Sequence, residues 1–258
     1  IKVDSVKNYG GKVLLYGDTF DEAFDYATSL AKKDGFTFIH PYDDQDVIVG
    51  QGTVGKELFD EIGSSIDAVF VPVGGGGLLA GLGTYLKSVS PNTKIIGVEP
   101  EDAACLKLAL ENNKRLALKE VGLFADGVAV KQIGKKTFSL IKDWIDDVVT
   151  VSVDEMCASV QDTFQETRIM SEPAGALALA GLKKYVQSRG IKNKKLVAIN
   201  SGANLNFDRL GHIVERVQLG ESKEVLLSVK IPEEKGSFRR FCNYPVSYTH
   251  LRAHETLN

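Results

Sequence analysis

The sequence predicts an α/β protein whose parallel sheet is covered by helices on both faces. Segments such as Ala68–Val73 and Lys195–Asn200 have continuously apolar interiors, which is typical of strands that are buried on both sides. Segments with apolar residues at helical spacing separate them, and parallel strands need such crossover helices. With 258 residues, 43% of them apolar, the chain is long enough for one large domain or two ordinary ones.

The first forty residues contain three predicted elements. Lys12–Tyr16 has the composition of a strand. Phe20–Lys33 has apolar residues at helical spacing, with Asp18 or Thr19 available as the N-cap. A glycine ends this helix, and Phe36–Ile39 again has the composition of a strand.

From residue 51 onward, helices and strands alternate along the chain. The predicted elements are helix 51–62, strand 68–73, helix 78–89, strand 94–99, helix 103–111, strand 147–153, helices 154–170 and 174–189, and strand 195–200. A different pattern follows the polar segment Gly220–Lys223, because Glu224–Ile231 alternates and the helix-like segment Ser237–Cys242 comes after it. This change indicates a domain boundary near residue 220.

The composition argues against several classes of partner. A formal net charge of −3 gives no electrostatic reason to expect nucleic acid or an anionic membrane. Residues 68–86 carry no charge, but six glycines and one proline among them favour a strand, a loop and a helix over a membrane span. Cys105, Cys157 and Cys242 form no CxxC pair and no metal-ligand spacing, so we expect free thiols, no metal and a cytoplasmic location.

Four consecutive glycines, Gly74–Gly77, lie between the predicted strand Ala68–Val73 and a helix that begins with Leu78. Glycine has no Cβ and reaches positive φ angles at little cost, so backbone N–H groups are able to converge on one point of such a loop. A helix N-terminus adds unpaired donors and a positive dipole end. The sequence therefore predicts a phosphate site, with a purely structural turn as the alternative interpretation.

The same loop also fits a dinucleotide-binding pattern. Gly75, Gly77 and Ala80 match the spacing of that fingerprint, and Glu99 ends the next predicted strand, where a ribose-binding carboxylate is expected. This alternative predicts an NAD-dependent oxidoreductase. Four glycines in a row favour a single phosphate instead, because a pyrophosphate loop needs glycine only at certain positions.

Three further motifs have ordinary structural roles available to them. Ser201–Asn204 follows a predicted strand, where Ser201 or the asparagine is able to cap a helix. A hydroxyl at the carboxyl edge of a parallel sheet also faces the place where ligands of α/β proteins collect. Ser171–Ala176 places Pro173 in a first helical turn, and Gly122–Ala129 contains an Asp-Gly turn signal.

Three motifs in fixed order carry a family resemblance: Val71–Leu78, Glu172–Ala176 and Ser201–Asn204. With them the chain resembles the biosynthetic threonine dehydratases (threonine ammonia-lyases), which are fold-type II pyridoxal-phosphate enzymes. The resemblance covers about residues 1–243, with supporting stretches at His40–Asp44, Gly50–Thr53, Val121–Val130 and Ile231–Phe238. It implies a tryptophan synthase β-like parallel sheet with helices on both faces, followed by the start of an ACT-like α+β regulatory domain.

The resemblance implies pyridoxal 5′-phosphate as the cofactor. Ser201 would face the pyridine nitrogen, and the phosphate would rest on the backbone N–H groups of Gly74, Gly75, Gly76, Gly77 and Leu78. A neutral hydroxyl beside the ring does not favour its protonation, which moderates the cofactor as an electron sink and favours loss of a β-hydroxyl group. The implied reaction is deamination of L-threonine to 2-oxobutanoate and ammonia by β-elimination of water, the first step of isoleucine biosynthesis.

The resemblance also implies partners and leaves alternatives open. An amino acid is the implied substrate, isoleucine and valine are the implied effectors of the full-length protein, and a homotetramer is the implied assembly. A serine dehydratase or a racemase of the same fold is the nearer alternative. A non-catalytic amino-acid-sensing module is a further alternative, which rests only on the segment after residue 220.

The chain departs from the family where the lysine that binds the cofactor covalently is expected. That lysine lies in a Ser-x-Lys-x-Arg-Gly context; Ser5–Lys7 matches the first three positions, but Asn8–Gly10 does not continue the pattern, so Lys7 is rejected. No catalytic residue is therefore expected within this chain. We expect an N-terminally truncated, inactive fragment of an active parent enzyme.

The resemblance divides the chain into four parts. Residues 1–39 are the remainder of the small subdomain, 40–219 the large cofactor-binding domain, and 220–243 the beginning of the regulatory domain. Residues 244–258 resemble an adapter read-through peptide and are interpreted as a non-native tail. His250 and His254 have the i, i+4 spacing of a metal pair, but we assign them to this tail.

Overall fold

A four-stranded parallel sheet forms the centre of the computed structural model, which describes residues 2–17, 20–220 and 230–243. The strands lie in the order β3-β2-β1-β4 and are β1 (Ala68–Pro72), β2 (Lys94–Pro100), β3 (Asp147–Val151) and β4 (Leu196–Ala198). Phe70 of β1 pairs with Ile96 on one side and with Ala198 on the other. Because every neighbouring pair is parallel, all four strands end at one edge of the sheet.

Helices occupy most of the remaining described chain. They are α1 (Lys2–Asn8), α2 (Phe20–Asp34), α3 (Gln45–Ile62), α4 (Gly77–Val89), α5 (Cys105–Glu111), α6 (Lys135–Ile141), α7 (Val153–Thr167), α8 (Pro173–Arg189), α9 (Arg209–Gly220) and α10 (Ser237–Cys242). Among the described residues, no helix combines the length and the apolar character that crossing a lipid bilayer requires.

The residues of β1 face two different helical layers. Val69 and Val71 pack in one core cluster with apolar side chains of α3, α4 and α6. Phe70, which lies between them in the sequence, packs in a second cluster with side chains of α7 and α8. Helices therefore cover both faces of the sheet, as predicted, and the strand has to be apolar at every position.

Two glycines permit α3 and α4 to approach each other closely. A Cβ at Gly81 would lie 2.2 Å from the carbonyl oxygen of Ile48, and a Cβ at Gly55 would lie 2.8 Å from that of Leu82. Real Cβ atoms do not approach a backbone oxygen so closely, so the helix pair depends on the absence of side chains at these positions.

Two predicted strands are wrong. Lys12–Tyr16 and Phe36–Ile39 have no regular secondary structure, and the side chains of Leu15 and Ile39 are 82% and 72% exposed. These short runs have the composition of strands, but within the described residues they do not join the sheet. Composition alone does not distinguish such runs from buried strands.

The other predicted elements in the described residues are confirmed with shifted ends. α3 begins at Gln45 instead of residue 51, because the carboxylate of Asp44 caps it. This carboxylate accepts hydrogen bonds from the N–H groups of Asp46 at 2.9 Å and Val47 at 3.4 Å. The helix predicted over 237–242 is present as α10, whereas α1, α6 and α9 were not predicted.

Some predictions fall on residues outside the described ranges. These are the helix cap at Asp18 or Thr19, the strand Glu224–Ile231 up to residue 229, and the segment 244–258 with its two histidines. They stay predictions.

Candidate active site

The tetraglycine loop connects β1 to α4 at the carboxyl edge of the sheet. Gly76 is the N-cap of α4 and has a left-handed backbone, with φ of 90° and ψ of 3°. The first hydrogen bond of the helix runs from the N–H of Ala80 to the carbonyl oxygen of Gly76 at 2.8 Å. The N–H groups of Gly77, Leu78 and Leu79 therefore have no acceptor within the helix, and such groups form an anion site.

Three segments of the chain enclose this loop and explain why each position is glycine. A Cβ at Gly75 would lie 2.2 Å from the ring of Tyr42, and a Cβ at Gly74 would lie 2.9 Å from the Cα atom of Val128. At Gly76 it would lie 2.7 Å from the side chain of Ile133, and at Gly77 it would lie 3.0 Å from Tyr42. The loop has no room for side chains, so its contacts with a ligand are those of its backbone.

The loop is fixed from the side of α6. The carbonyl oxygen of Gly75 accepts hydrogen bonds from the hydroxyl of Thr137 at 2.8 Å and from the N–H of Gly134 at 3.2 Å. The carboxylate of Asp43 in turn accepts bonds from the first N–H groups of α6. The sequence-based predictions did not include these residues, although Asp43 lies in a stretch that supports the family resemblance.

Ser201 lies just beyond β4, the strand next to β1. Its hydroxyl donates a hydrogen bond to the carbonyl oxygen of Ala174 at 3.4 Å, and the N–H of Glu172 donates one to the carbonyl oxygen of Gly202 at 3.1 Å. A Cβ at Gly175 would lie 2.1 Å from that same oxygen of Gly202. The structure thus packs the Glu172–Ala176 and Ser201–Asn204 motifs directly against each other.

The Asp-Gly turn completes the same edge. A Cβ at Gly127 would lie 3.0 Å from the Cβ atom of Ala174, and the next residue, Val128, contacts the backbone of Gly74. Four motifs that are separated in the sequence therefore meet at the carboxyl edge of the sheet. This position is where α/β proteins bind their ligands.

Glu99 does not have the position that a ribose-binding acid needs. It is fully buried at the end of β2, and its Oε1 and Oε2 atoms accept hydrogen bonds from the N–H groups of Leu106 at 2.7 Å and Lys107 at 2.9 Å. Burial raises the pKa of Glu99 to about 7, and the two backbone donors oppose that shift. Both oxygens cap α5, so the interpretation of Glu99 as a ribose ligand is wrong.

Cys105 connects this buried carboxylate to the loop. Its thiol donates a hydrogen bond to the carbonyl oxygen of Gly74 at 3.4 Å and also contacts Glu99. Burial is the largest cause that raises the pKa of Cys105, followed by the charge of Glu99. Cys105 and Cys157 are buried and free, as predicted, whereas the side chain of Cys242 lies outside the described part of the chain.

A parallel sheet with a backbone-lined loop at its carboxyl edge is typical of α/β proteins that bind phosphorylated ligands. Residues 1–202 match the family model described as pyridoxal-phosphate dependent enzyme. The chain belongs to this family of pyridoxal-phosphate dependent enzymes.

Individual relatives give a finer comparison. The chain is 52% identical over 242 residues to L-threonine dehydratase biosynthetic IlvA of Salmonella typhimurium, covering 94% of this chain and 47% of the relative. The structure of the processed form of threonine deaminase isoform 2 from Solanum lycopersicum has a TM-score of 0.82 and 47% identity, over 85% of this chain and 60% of that one. The crystal structure of serine racemase from Dictyostelium discoideum has a TM-score of 0.71 and 31% identity, and the match covers 80% of this chain and 66% of that one. The chain spans about half the length of the curated relatives it matches.

Proposed function

We propose that the protein containing this chain deaminates L-threonine to 2-oxobutanoate and ammonia by β-elimination of water, as the first step of isoleucine biosynthesis. The observation that carries this proposal is the meeting of the tetraglycine loop, the Glu172–Ala176 motif and Ser201 at one edge of the sheet. Similarity to the threonine dehydratase of Salmonella typhimurium over nearly the whole chain supports this choice of reaction. Similarity to threonine deaminase of Solanum lycopersicum supports it as well.

The residues at this edge fit pyridoxal 5′-phosphate. In the proposal, the backbone N–H groups of residues 74–78 hold the phosphate, in a cradle that any Cβ would fill. In the proposal, Ser201 would face the pyridine nitrogen, and its place just beyond β4, the strand adjacent to β1, supports this assignment. When bound, the cofactor supplies an electron sink for the negative charge that develops on the α-carbon of the amino acid.

Ser201 controls the strength of that sink in the proposed mechanism. Its hydroxyl is neutral, so it orients the ring nitrogen without stabilising a protonated ring as a carboxylate would. The hydrogen bond to Ala174 is long, at 3.4 Å, and it holds the hydroxyl loosely on the side of α8. A ligand atom with better geometry would therefore compete successfully for it.

The proposal also includes the domain boundaries of the chain and the effectors, assembly and cellular location of the full-length protein. Residues 1–39 belong to a small subdomain, 40–219 to the large cofactor-binding domain, and 220–243 to the start of an ACT-like regulatory domain. Isoleucine and valine act as effectors of the full-length protein, which is a cytoplasmic homotetramer. The change of sequence pattern near residue 220 supports the boundary.

The test uses the full-length protein reconstituted with pyridoxal 5′-phosphate. We expect an absorption band near the edge of the visible range, a shift of that band on adding L-threonine, and formation of 2-oxobutanoate. The absence of both the absorption band and 2-oxobutanoate after reconstitution would contradict the proposal. Ser201→Ala is expected to change the band position and to leave the melting temperature nearly unchanged.

Serine dehydration or racemisation is the second candidate. The similarity to serine racemase from Dictyostelium discoideum favours it to a lesser extent, at 31% identity. Threonine and serine differ by one methyl group, which a pocket distinguishes by about 1–3 kcal/mol. Rates with L-threonine, L-serine and D-serine at equal concentration decide between the two, and faster turnover of serine would replace the first proposal.

A further inference from the structure

Asp43 caps a helix that is distant from it in the sequence. Its Oδ1 atom accepts hydrogen bonds from the N–H groups of Lys136 at 2.7 Å and Thr137 at 3.2 Å, and its Oδ2 atom accepts one from Lys135 at 2.8 Å. These donors are the first N–H groups of α6, which have no acceptor within the helix. A carboxylate at this end also interacts favourably with the helix dipole. The first turn of α6 is therefore held in place by a side chain of another segment.

That first turn carries the hydroxyl that contacts the tetraglycine loop. Thr137 is fully buried, and together with the N–H of Gly134 it gives the carbonyl oxygen of Gly75 two donors. A trans peptide is planar, so the N–H of Gly76 points in the direction opposite to the carbonyl of Gly75. Fixing this oxygen on the side of α6 therefore fixes the direction of the Gly76 N–H.

The loop that carries Asp43 is itself fixed and touches the glycines a second time. The Nδ1 atom of His40 accepts hydrogen bonds from the N–H groups of Tyr42 at 3.2 Å and Asp43 at 2.9 Å. The ring of Tyr42 lies against Gly75, at the place where a Cβ would be. One short segment thus limits the position of Gly75 directly and the orientation of its carbonyl through α6.

We propose that Asp43 is a positioning residue for the cofactor phosphate, acting through Thr137 on Gly75 and so on the direction of the Gly76 N–H. The inference rests on the proposed function, since the anion is taken to be the phosphate of pyridoxal 5′-phosphate. Asp43 need not touch the cofactor. Its contribution is specific to the phosphate, because the peptide that it orients lies at the N-terminus of α4.

The experiment compares two cofactor forms in the full-length protein: pyridoxal 5′-phosphate and pyridoxal, which lacks the phosphate. In Asp43→Asn, an amide NH₂ group replaces one of the two carboxylate oxygens. This group is a donor and cannot accept a hydrogen bond from the N–H groups of α6. We expect the Kd for pyridoxal 5′-phosphate to rise about tenfold or more, the scale of a lost charge-assisted hydrogen bond. The Kd for pyridoxal is expected to stay within about twofold, a change that corresponds to less than half a kcal/mol.

Asp44→Asn is the matched control. Asp44 is the next residue and caps α3 with the same chemistry, and within the described chain it reaches α6 only at the side chain of Lys136, 4.0 Å away. It is expected to leave the ratio of the two Kd values unchanged. A general loss of folding would raise both Kd values together, in either variant.

Thr137→Val and Thr137→Ser keep the inference testable if Asp43→Asn does not fold. Valine has the shape of threonine without its hydroxyl, so the phosphate-specific loss is expected in Thr137→Val and not in Thr137→Ser. Equal Kd changes for both cofactor forms, or an unchanged ratio in Thr137→Val, would overturn the proposal. A wild-type protein that binds neither form would remove the proposed function and this inference with it. If the wild type binds pyridoxal 5′-phosphate and the variants have the same two Kd values as the wild type, the inference about Asp43 is wrong and the proposed function stands.

Discussion

The Oε1 atom of Glu99 accepts a hydrogen bond from the N–H of Leu106 at 2.7 Å, although Glu99 is fully buried. Together with the bond from Lys107, this contact holds α5 against the end of β2. In Glu99→Gln, one of the two N–H donors meets an amide NH₂ group instead of an oxygen. We expect a loss of about 1–3 kcal/mol in the free energy of unfolding, measured by urea denaturation near pH 4.5, where the contribution of Glu99 is fully present.

The difference in stability between the wild type and Glu99→Gln is expected to depend on pH, because Glu99 titrates. Its pKa in the folded state is about 7, above its ordinary value of 4.5, so the folded state binds the proton more tightly than the unfolded state does. Its contribution to stability is fully present below pH 4.5 and is lost as the pH rises through about 7. The wild type is therefore expected to lose stability relative to Glu99→Gln across this range, and a constant difference would contradict the assignment.

His40 is expected to act in the opposite direction. Burial lowers its pKa below the ordinary value of 6.5, although the nearby carboxylates of Asp43 and Asp44 oppose this shift. Its contribution to stability is present above pH 6.5 and is lost as the pH falls through the folded-state pKa. His40→Asn keeps an acceptor that does not titrate there, so its stability should fall less on acidification.

The close packing of α3 and α4 predicts a large difference between two glycine substitutions. Gly81→Ala places a methyl group 2.2 Å from the carbonyl oxygen of Ile48, and overpacking of this kind costs about 1–3 kcal/mol. Gly50→Ala lies on α3 with open space around its Cβ, so it should be neutral or stabilising by about 0.5–1 kcal/mol. Thermal unfolding of both variants measures the difference. Equal melting temperatures would show that the helices are able to separate at little cost.

The contact between Gly75 and Tyr42 predicts energetic coupling. Gly75→Ala places its Cβ 2.2 Å from the ring of Tyr42, so it should destabilise the protein and abolish binding of pyridoxal 5′-phosphate. Tyr42→Ala removes the obstacle, and the double variant should lose less stability than the sum of the two single variants. A coupling of about 0.5–3 kcal/mol is expected for residues in contact. If the losses of stability in the two single variants add up to that of the double variant, contact with Tyr42 is not the cause of the destabilisation by Gly75→Ala.

Thiol reactivity tests the burial of the two described cysteines. Burial raises the pKa of Cys157 to about 12 and raises that of Cys105 as well, and the thiolate is the reactive form. Both are expected to react with a disulfide reagent only as fast as the protein opens, and rapidly after denaturation in urea. Mass spectrometry of peptides labelled before unfolding identifies the site, and fast labelling of either cysteine would contradict its buried position.

The sequence predicts the sheet and the tetraglycine loop well because both depend on local composition. A strand buried on both faces has to be apolar throughout, as Ala68–Pro72 is, and a loop without space for Cβ atoms has to be glycine. Lys12–Tyr16 was misassigned because a short apolar run has the same composition whether or not it has a partner strand.

The supports of the candidate site are harder to predict from the sequence. Asp43 and Thr137 act on the same loop although more than ninety residues separate them, and neither has a spacing pattern that marks the contact. Glu99 fitted the dinucleotide alternative because a ribose-binding acid and a buried helix cap occupy the same place in the sequence. Only the tertiary structure distinguishes an oxygen that faces a ligand from one that faces backbone donors.

The pairing of β1 with β4 determines the distance between the two strands from which the tetraglycine loop and Ser201 extend. The N–H of Ile199 donates a hydrogen bond to the carbonyl oxygen of Phe70 at 3.0 Å, and paired strands lie about 4.8 Å apart. The tetraglycine loop and Ser201 extend from these two strands, so the backbone hydrogen bonds of the sheet determine the span between the two ends of the candidate site. Substitutions in either loop are therefore expected to alter contacts within the site and to leave the spacing of the two strands that carry it unchanged.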